Sequence, residues 1–470
     1  MVMGELHQET ELAIIGAGPG GYVAALRAAD LGKEVVLIEE RERLGGTCLL
    51  EGCIPSKTLI NAVEVAETAR HAEQMGLTFS DLKFDPTALL GYTEKVIKTL
   101  TAGVSSLVKS RGIEVIHGRA RFINSQTLDI EGSDKIDFRK CIIATGSRIN
   151  ELPAAYEKPV WSSAEALALP EIPETLLVVG GGYIGLELGL VYAGLGSAVT
   201  MVEFFPRLLM GADFDLVDIM VDSASGRFEE IMLDSKVVGV EQTSSGFAVE
   251  IEHEGETSKA EYGQVLVAVG RRPNTDDLGL ENTSISPDEN GTIQVDEELR
   301  TSEENTFAIG DVAPGPMLAH KASREAKVAA EVIAGHKSAF DNRAIPAVVF
   351  TDPEIAWTGL TEREAESAGI EINVGRFPLR ALGRARTLGR TEGMTKIISD
   401  PESNLVLGVG MVGPQASELI AEATLAIEMG ATLEDLMITI HPHPTLSEAI
   451  MEAAEVGAGS PTHIPPEKES

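Results

Sequence analysis

Leu12-Ala13-Ile14-Ile15-Gly16-Ala17-Gly18-Pro19-Gly20-Gly21 is an apolar run that ends in a turn of glycines, and its reading decides the fold. The run reads as a buried strand. Gly16, Gly18 and Gly21 give G-x-G-x-x-G, and a helix of small residues follows, Tyr22-Val23-Ala24-Ala25-Leu26-Arg27-Ala28-Ala29. A second strand, Glu34-Val35-Val36-Leu37-Ile38, ends at Glu39. Strand, glycine turn, helix, strand and acid in that order predict a dinucleotide-binding unit. The glycines let the backbone approach a pyrophosphate at a helix N-terminus, and the acid takes ribose hydroxyls. The remaining charges of residues 39–43 read as a solvated face.

A second copy stands at Gly180, Gly182 and Gly185, after Leu176-Leu177-Val178-Val179 and before Val199-Thr200-Met201-Val202-Glu203. The stretch 176–202 is apolar enough to suggest a membrane span, but Glu187 near its middle and seven glycines argue against one. A carboxylate at Glu203 welcomes a ribose 2′-hydroxyl and repels a 2′-phosphate, so NAD is expected over NADP, with Arg207 close enough to oppose that preference.

Between the two copies lies Gly45-Gly46-Thr47-Cys48-Leu49-Leu50-Glu51-Gly52-Cys53-Ile54-Pro55-Ser56-Lys57. On a regular helix residues five apart are about 8.6 Å apart at Cα. A disulfide wants roughly 4.4–6.8 Å. Cys48 and Cys53 can therefore bridge only across a distorted turn, for which Gly52 supplies the freedom. A strained local disulfide is easily reduced, which suits catalysis. Taken without their flanks, two buried free thiols are as good a reading. A helix is expected over residues 58–69, and its N-terminus lowers the pKa of a nearby thiol.

With two nucleotide sites and a dithiol, the chain resembles the pyridine nucleotide-disulfide oxidoreductases over nearly its whole length. Four further motifs carry the resemblance: Ala144-Thr145-Gly146-Ser147, Gly270-Arg271-Arg272-Pro273-Asn274, Phe307-Ala308-Ile309-Gly310-Asp311 and His441-Pro442-His443-Pro444-Thr445-Leu446-Ser447-Glu448. Within the family, Pro316-Met317-Leu318-Ala319-His320-Lys321-Ala322 and the double-His motif favour the members that oxidise dihydrolipoyl groups. The resemblance implies an α/β fold of two Rossmann-like domains, one for FAD and one for NAD, plus a C-terminal α+β dimerisation domain. It places the first FAD-binding segment at residues 1–148, the NAD domain at 149–275, the return to the FAD side at 276–346 and the dimerisation domain at 347–470.

Roles follow from the same resemblance. Cys48 is the outer thiol that exchanges with substrate, and Cys53 the flavin-side thiol of a Cys48–Cys53 disulfide. Lys57 lies by the flavin with Glu187 as its carboxylate partner. Gly16, Gly18, Gly21, Glu39, Thr145, Gly146 and Asp311 serve FAD, with Asp311 on the ribityl chain. Gly180, Gly182, Gly185, Glu203 and Gly270 serve NAD. His443, oriented by Glu448, moves the proton and reaches across from the other subunit, which implies a homodimer. His441 reads as structural. No metal is expected. The implied partner is a lipoylated carrier protein or lipoyl domain, with no nucleic acid and no membrane.

Other members of the superfamily fit less well. Glutathione-type reductases prefer NADPH, which Glu203 opposes; mercuric reductases end in a cysteine pair; soluble transhydrogenases lack one thiol. A non-catalytic docking or sensing role would not require the dithiol, the lysine and the His–Glu pair together. One departure lies in the cysteine loop, where the family carries Asn-Val and this chain Leu50-Glu51. A carboxylate there is expected to raise the thiol pKa values or alter which carrier docks.

Composition agrees. Three cysteines and no N-terminal apolar segment point to a reducing, cytoplasmic setting, with Cys141 as core packing. Acids outnumber bases 73 to 38, a net charge of −35 that works against nucleic acid. Five arginines in residues 376–390 stand out in so acidic a chain and read as ordinary ion pairs, or less readily as contacts to an acidic carrier. The tail from Gly457 is expected to be extended.

Overall fold

The computed structural model describes residues 7–80, 82–152 and 160–466. Residues 1–6 of the expected first segment and 467–470 of the expected tail lie outside them. Among the described residues the chain is a mixed α/β protein, with one mixed sheet and one parallel sheet that carry the two glycine motifs and an antiparallel sheet near its end.

In the first sheet His7–Ile15 is central, parallel to Val35–Glu39 on one side (Leu12 beside Val35) and to Lys135–Ile143 on the other (Ile14 beside Ile142). Glu114–His117 extends one edge, and Thr306–Ala308 returns much later to pair with Lys135–Ile143. Val35–Glu39, Thr306–Ala308 and the second half of His7–Ile15 are buried on both faces, which is why they read as unbroken apolar runs. Cys141 is fully buried here, as expected of core packing. The helix Pro19–Asp30 turns Ala24, Ala25 and Ala28 inward against Ala326, Ala329 and Ala330 of Ala319–Ile333.

The second sheet, which is parallel, runs Glu230–Met232, Ala198–Val202, Thr175–Val179, Gln264–Val267. The apolar stretch 176–202 is thus strand, helix and strand. Its helix, Tyr183–Leu195, is apolar almost all round because it is buried on nearly every side. No helix among the described residues is long and apolar enough to cross a membrane. Where the chain passes between the two sheets, Ser147–Ile149 and Arg271–Pro273 pair antiparallel, so the outgoing and returning crossings are stitched together.

The last sheet is antiparallel, ordered Ala347–Val349, Glu354–Gly359, Val406–Gly413, Met394–Ser399, Asn373–Pro378. Helices Ala416–Met429 and Glu448–Gly457 share its core. After Gly457 the described tail makes turns and bends.

Candidate active site

The two glycine turns are built alike. Gly16 sits at φ +97°, where a Cβ would fall 2.4 Å from the Ala144 carbonyl oxygen, and a Cβ at Gly21 would fall 1.7 Å from Gly16 O. Gly180 and Gly185 repeat this, against Ala268 O at 2.4 Å and Gly180 O at 1.9 Å. Those four glycines are internal packing. The middle glycines differ: a Cβ at Gly18 meets nothing nearer than 3.9 Å, and one at Gly182 nothing within 4 Å. Each opens onto free space at the start of a helix of twelve or thirteen residues, the shape and polarity that fit a pyrophosphate.

Both acids are buried and brace their turns. Glu39 accepts the Ala17 N–H at 2.7 Å and the Arg41 N–H at 3.0 Å, and Glu203 accepts the Gly181 and Phe205 N–H groups. A carboxylate has spare lone pairs for ribose hydroxyls beyond these bonds. Arg207, expected to oppose the 2′-hydroxyl preference, is turned away: its guanidinium pairs with Asp218 at 2.6 Å and lies over Phe214.

The cysteine loop rests on the first turn. A Cβ at Gly46 would stand 2.6 Å from Gly18 Cα, and Gly45 N–H donates to Ala17 O. Cys48 lies in the short helix Gly46–Glu51, and Cys53 opens the long helix Cys53–His71. Gly52 breaks them apart at φ −140°, ψ −113°, where a Cβ would meet Thr47 O at 2.8 Å. The helix expected from Thr58 therefore begins at Cys53. The sulfurs are unbonded: the pair stands as a dithiol in which the Cys48 thiol hydrogen-bonds Cys53. That bond, with Lys57 adding to it against burial and Glu187, draws Cys53 down to about 7. The same bond and burial push Cys48 far up, with Lys57 opposing. The proton belongs to Cys48 and the charge to Cys53.

Glu51, expected to act on the thiols, does not. Its carboxylate pairs with Arg41 at 2.6 Å, and it is absent from the groups that chiefly set either thiol.

Lys57, one turn after Cys53, donates to Glu187 Oε2 at 2.7 Å across from the second domain's helix. Glu187 is buried, and its other oxygen accepts the Phe350 N–H at 3.0 Å while the Phe350 ring lies 4.5 Å from Lys57 Nζ. Phe350 was not legible as a site residue: it is 163 positions from Glu187, and no local pattern marks it. Tyr183, first on the second helix, is raised to about 12 by burial, with Asp311, Cys53 and Glu187 adding and Arg271 opposing. Both nucleotide units thus converge on Cys53.

The crossings supply the rest. Thr145 Oγ donates to Asn274 O, Asn274 N–H donates to Gly146 O, and Gly270 O accepts the Asn150 N–H. The Asp311 carboxylate accepts the Ser147 hydroxyl at 2.5 Å, and Ser147 Oγ accepts Arg271 Nε–H at 2.7 Å.

His443 lies apart. Its Nδ1 is 2.8 Å from Glu448 Oε1, while Glu448 Oε2 accepts the Thr445 N–H at 2.7 Å. Burial would raise the Glu448 carboxyl, but the Thr445 amide and His443 outweigh it and hold it low. The imidazole itself is 77 % exposed and is not among the groups that chiefly act on the thiols. His441, two residues before, is buried on Glu422 at 2.8 Å. Beside this loop Met429, Ile438 and Ile440 present apolar side chains to solvent.

Two family models match the chain: pyridine nucleotide-disulphide oxidoreductase over residues 10–326 and the dimerisation domain of the same family over 345–454. The chain belongs to the pyridine nucleotide-disulphide oxidoreductase family, as an FAD- and NAD-dependent oxidoreductase that carries a dimerisation domain. Similar relatives are the dihydrolipoyl dehydrogenases of Geobacillus stearothermophilus, 46% identical over 99% of both chains, and Halobacterium salinarum, 47% identical over 98% of this chain and 99% of that one. Among solved structures, the HOCl-induced flavoprotein disulfide reductase RclA from Escherichia coli superposes with a TM-score of 0.85 at 28% identity, covering 95% of this chain and 99% of the other.

Proposed function

We propose that this chain oxidises the dihydrolipoyl group of a carrier protein to lipoyl and passes the electron pair to NAD⁺. The observation that carries the reading is the polarised Cys48–Cys53 pair, seated on the first glycine turn and faced by Lys57–Glu187. The dihydrolipoyl dehydrogenases that match nearly its full length support the choice of substrate.

The chemistry starts from the disulfide form of the pair. His443 takes a proton from one substrate thiol, with Glu448 holding the imidazole and favouring its charged form. The resulting thiolate attacks Cys48 sulfur; the Cys48–Cys53 bond breaks, and Cys53 leaves as the thiolate that its surroundings favour. The second substrate thiol then attacks the first sulfur, closing the lipoyl disulfide and releasing Cys48, which takes that thiol's proton, while the first proton stays on His443 opposite the Cys53 thiolate. When bound, FAD would supply a two-electron acceptor on the Cys53 side, with NAD⁺ as the final acceptor, so that the Cys48–Cys53 disulfide can re-form. Gly18, Glu39, Thr145, Gly146 and Asp311 would hold FAD on the turn that Gly16 and Gly21 allow to close; Gly182, Glu203 and Gly270 would hold NAD on the turn that Gly180 and Gly185 allow to close. Lys57 and Glu187 keep a paired charge beside the flavin.

In this reading the working protein is a cytoplasmic homodimer. The exposed His443 of one subunit serves the thiols of the other, and the apolar residues around Ile440 are covered by the partner. The division at residues 148, 275 and 346 is part of the same proposal, supported by the paired crossings at Ser147–Ile149 and Arg271–Pro273. Cys48→Ser is the test. It is expected to abolish dihydrolipoamide turnover with FAD still bound; retained turnover removes Cys48 from the exchange.

A further inference from the structure

Helix Ala319–Ile333 carries Lys321 and Glu325 one turn apart, joined at 2.9 Å with their side chains 1% and 2% exposed. Both also grip one backbone residue. Lys321 Nζ donates to Gly310 O at 3.0 Å, and Gly310 N–H donates to Glu325 Oε2 at 2.6 Å. Gly310 is held at φ +74°, and the next residue is Asp311.

Helix stability does not explain the pair. A lysine in the first turn opposes the helix dipole, and Lys before Glu is the weaker order of an i, i+4 pair. Core stability does not explain it either, because apolar side chains of similar volume usually do as well as a buried ion pair or better. Apolar side chains could not, however, hold both polar groups of one peptide residue. Burial raises the Glu325 carboxyl against the pull of Lys321 and the Gly310 amide, and the nearby Asp311 charge adds to the rise. Lys321 is therefore the buried cation close to both acids.

We infer that Lys321 and Glu325 are positioning residues of the FAD site, which by gripping Gly310 fix the direction in which Asp311 presents its carboxylate to the ribityl chain. The inference rests on the assignment of Asp311 to that chain. Ser147 fixes the carboxylate from one side, and the ion pair fixes the backbone that carries it from the other. Without the pair, the turn Gly310–Val312 keeps its place but loses its angle.

The test is the rate of FAD release from purified holoenzyme after dilution, followed by flavin fluorescence, in Glu325→Gln, Lys321→Met/Glu325→Leu and Asp311→Asn. Glu325→Gln keeps the volume and an oxygen for Gly310 N–H but loses the charge. It is expected to release FAD about ten-fold faster or more, the equivalent of one charge-assisted hydrogen bond, with NADH binding and far-ultraviolet circular dichroism unchanged. Release at the wild-type rate from a folded Glu325→Gln dimer overturns the inference, as does failure of that variant to fold, which would make the pair a folding determinant. The double variant separates the two roles again: a folded apolar pair with fast release supports positioning, and one with wild-type release contradicts it. Wild-type release from Asp311→Asn would instead overturn the assignment of Asp311 on which the inference rests.

Discussion

Cys48 and Cys53 are the same side chain with pKa values moved in opposite directions, and their surroundings explain why. The hydrogen bond between them, donated by Cys48 and accepted by Cys53, raises the first and lowers the second; burial raises both, Lys57 lowers both, and the charge of Cys53 pushes Cys48 further up. Lys57 lowers the Cys53 pKa, so its removal raises it, and the buried Glu187 left unpaired adds to the rise. In reduced Lys57→Met the thiolate absorbance is expected to titrate at higher pH than in the reduced wild type measured alongside it. An unchanged midpoint would mean that Lys57 does not set the thiolate. The dithiol, Lys57, Glu187 and the His443–Glu448 pair were legible in the sequence because each sits in a motif with fixed spacing. The direction of Glu51 was not legible. Its position in the loop put a carboxylate beside the thiols, but Arg41 at the edge of the same loop draws it away.

At the scale of elements, the glycine turns and their flanking strands were readable because strand, turn and helix are contiguous there. The start of the helix at Cys53 was not. Pro55 lies in its first turn, where proline costs little because the missing N–H has no intrahelical partner anyway. Also hidden was Lys396, an unremarkable residue of Met394–Ser399. It is fully buried among Asp213 at 2.7 Å, Asp215 at 2.6 Å and Glu362 at 2.8 Å, where its ammonium takes the centre of a three-carboxylate cage. The cage ties helices Phe214–Ala224 and Glu362–Ala368 to the last sheet. Arg376 joins it through Asp215 and Glu362, and Arg390 pairs with Asp352 and Glu392; the other three arginines of that run are exposed. Lys396→Met leaves three acids without their buried cation and is expected to cost about 3–5 kcal/mol in denaturant unfolding at pH 7. Asp215 is held low by Lys396 and Arg376 against its own burial, so in wild type it contributes stability above its unfolded pKa that is lost as pH falls below it. The gap between variant and wild type should therefore narrow as pH falls below about 4, the ordinary carboxylate value for aspartate. A variant as stable as wild type at pH 7 would contradict this account of the cage.

At the scale of the molecule, one chain holds every group of the exchange, yet leaves His443 77% exposed and outside the groups that chiefly set its own thiols. A dimer in which each site takes its dithiol from one subunit and its imidazole from the other resolves that. Cys48→Ser and His443→Gln homodimers are then each expected to be nearly inactive. Reassorted heterodimers should recover activity, because one of their two sites combines Cys48 from the second variant with His443 from the first. No recovery in verified heterodimers would contradict the shared site. The dimer was expected only through resemblance, since nothing in the periodicity of residues 425–440 distinguishes an apolar side chain that meets a partner from one that meets its own core.

The central claim is that dihydrolipoyl thiol, dithiol, flavin and nicotinamide form one electron path. Anaerobic mixing of the holoenzyme with dihydrolipoamide, followed by absorption spectroscopy, tests it most directly. The account predicts a long-wavelength thiolate-to-flavin charge-transfer band that NAD⁺ discharges. No band, in an enzyme whose flavin NADH still reduces, would contradict it.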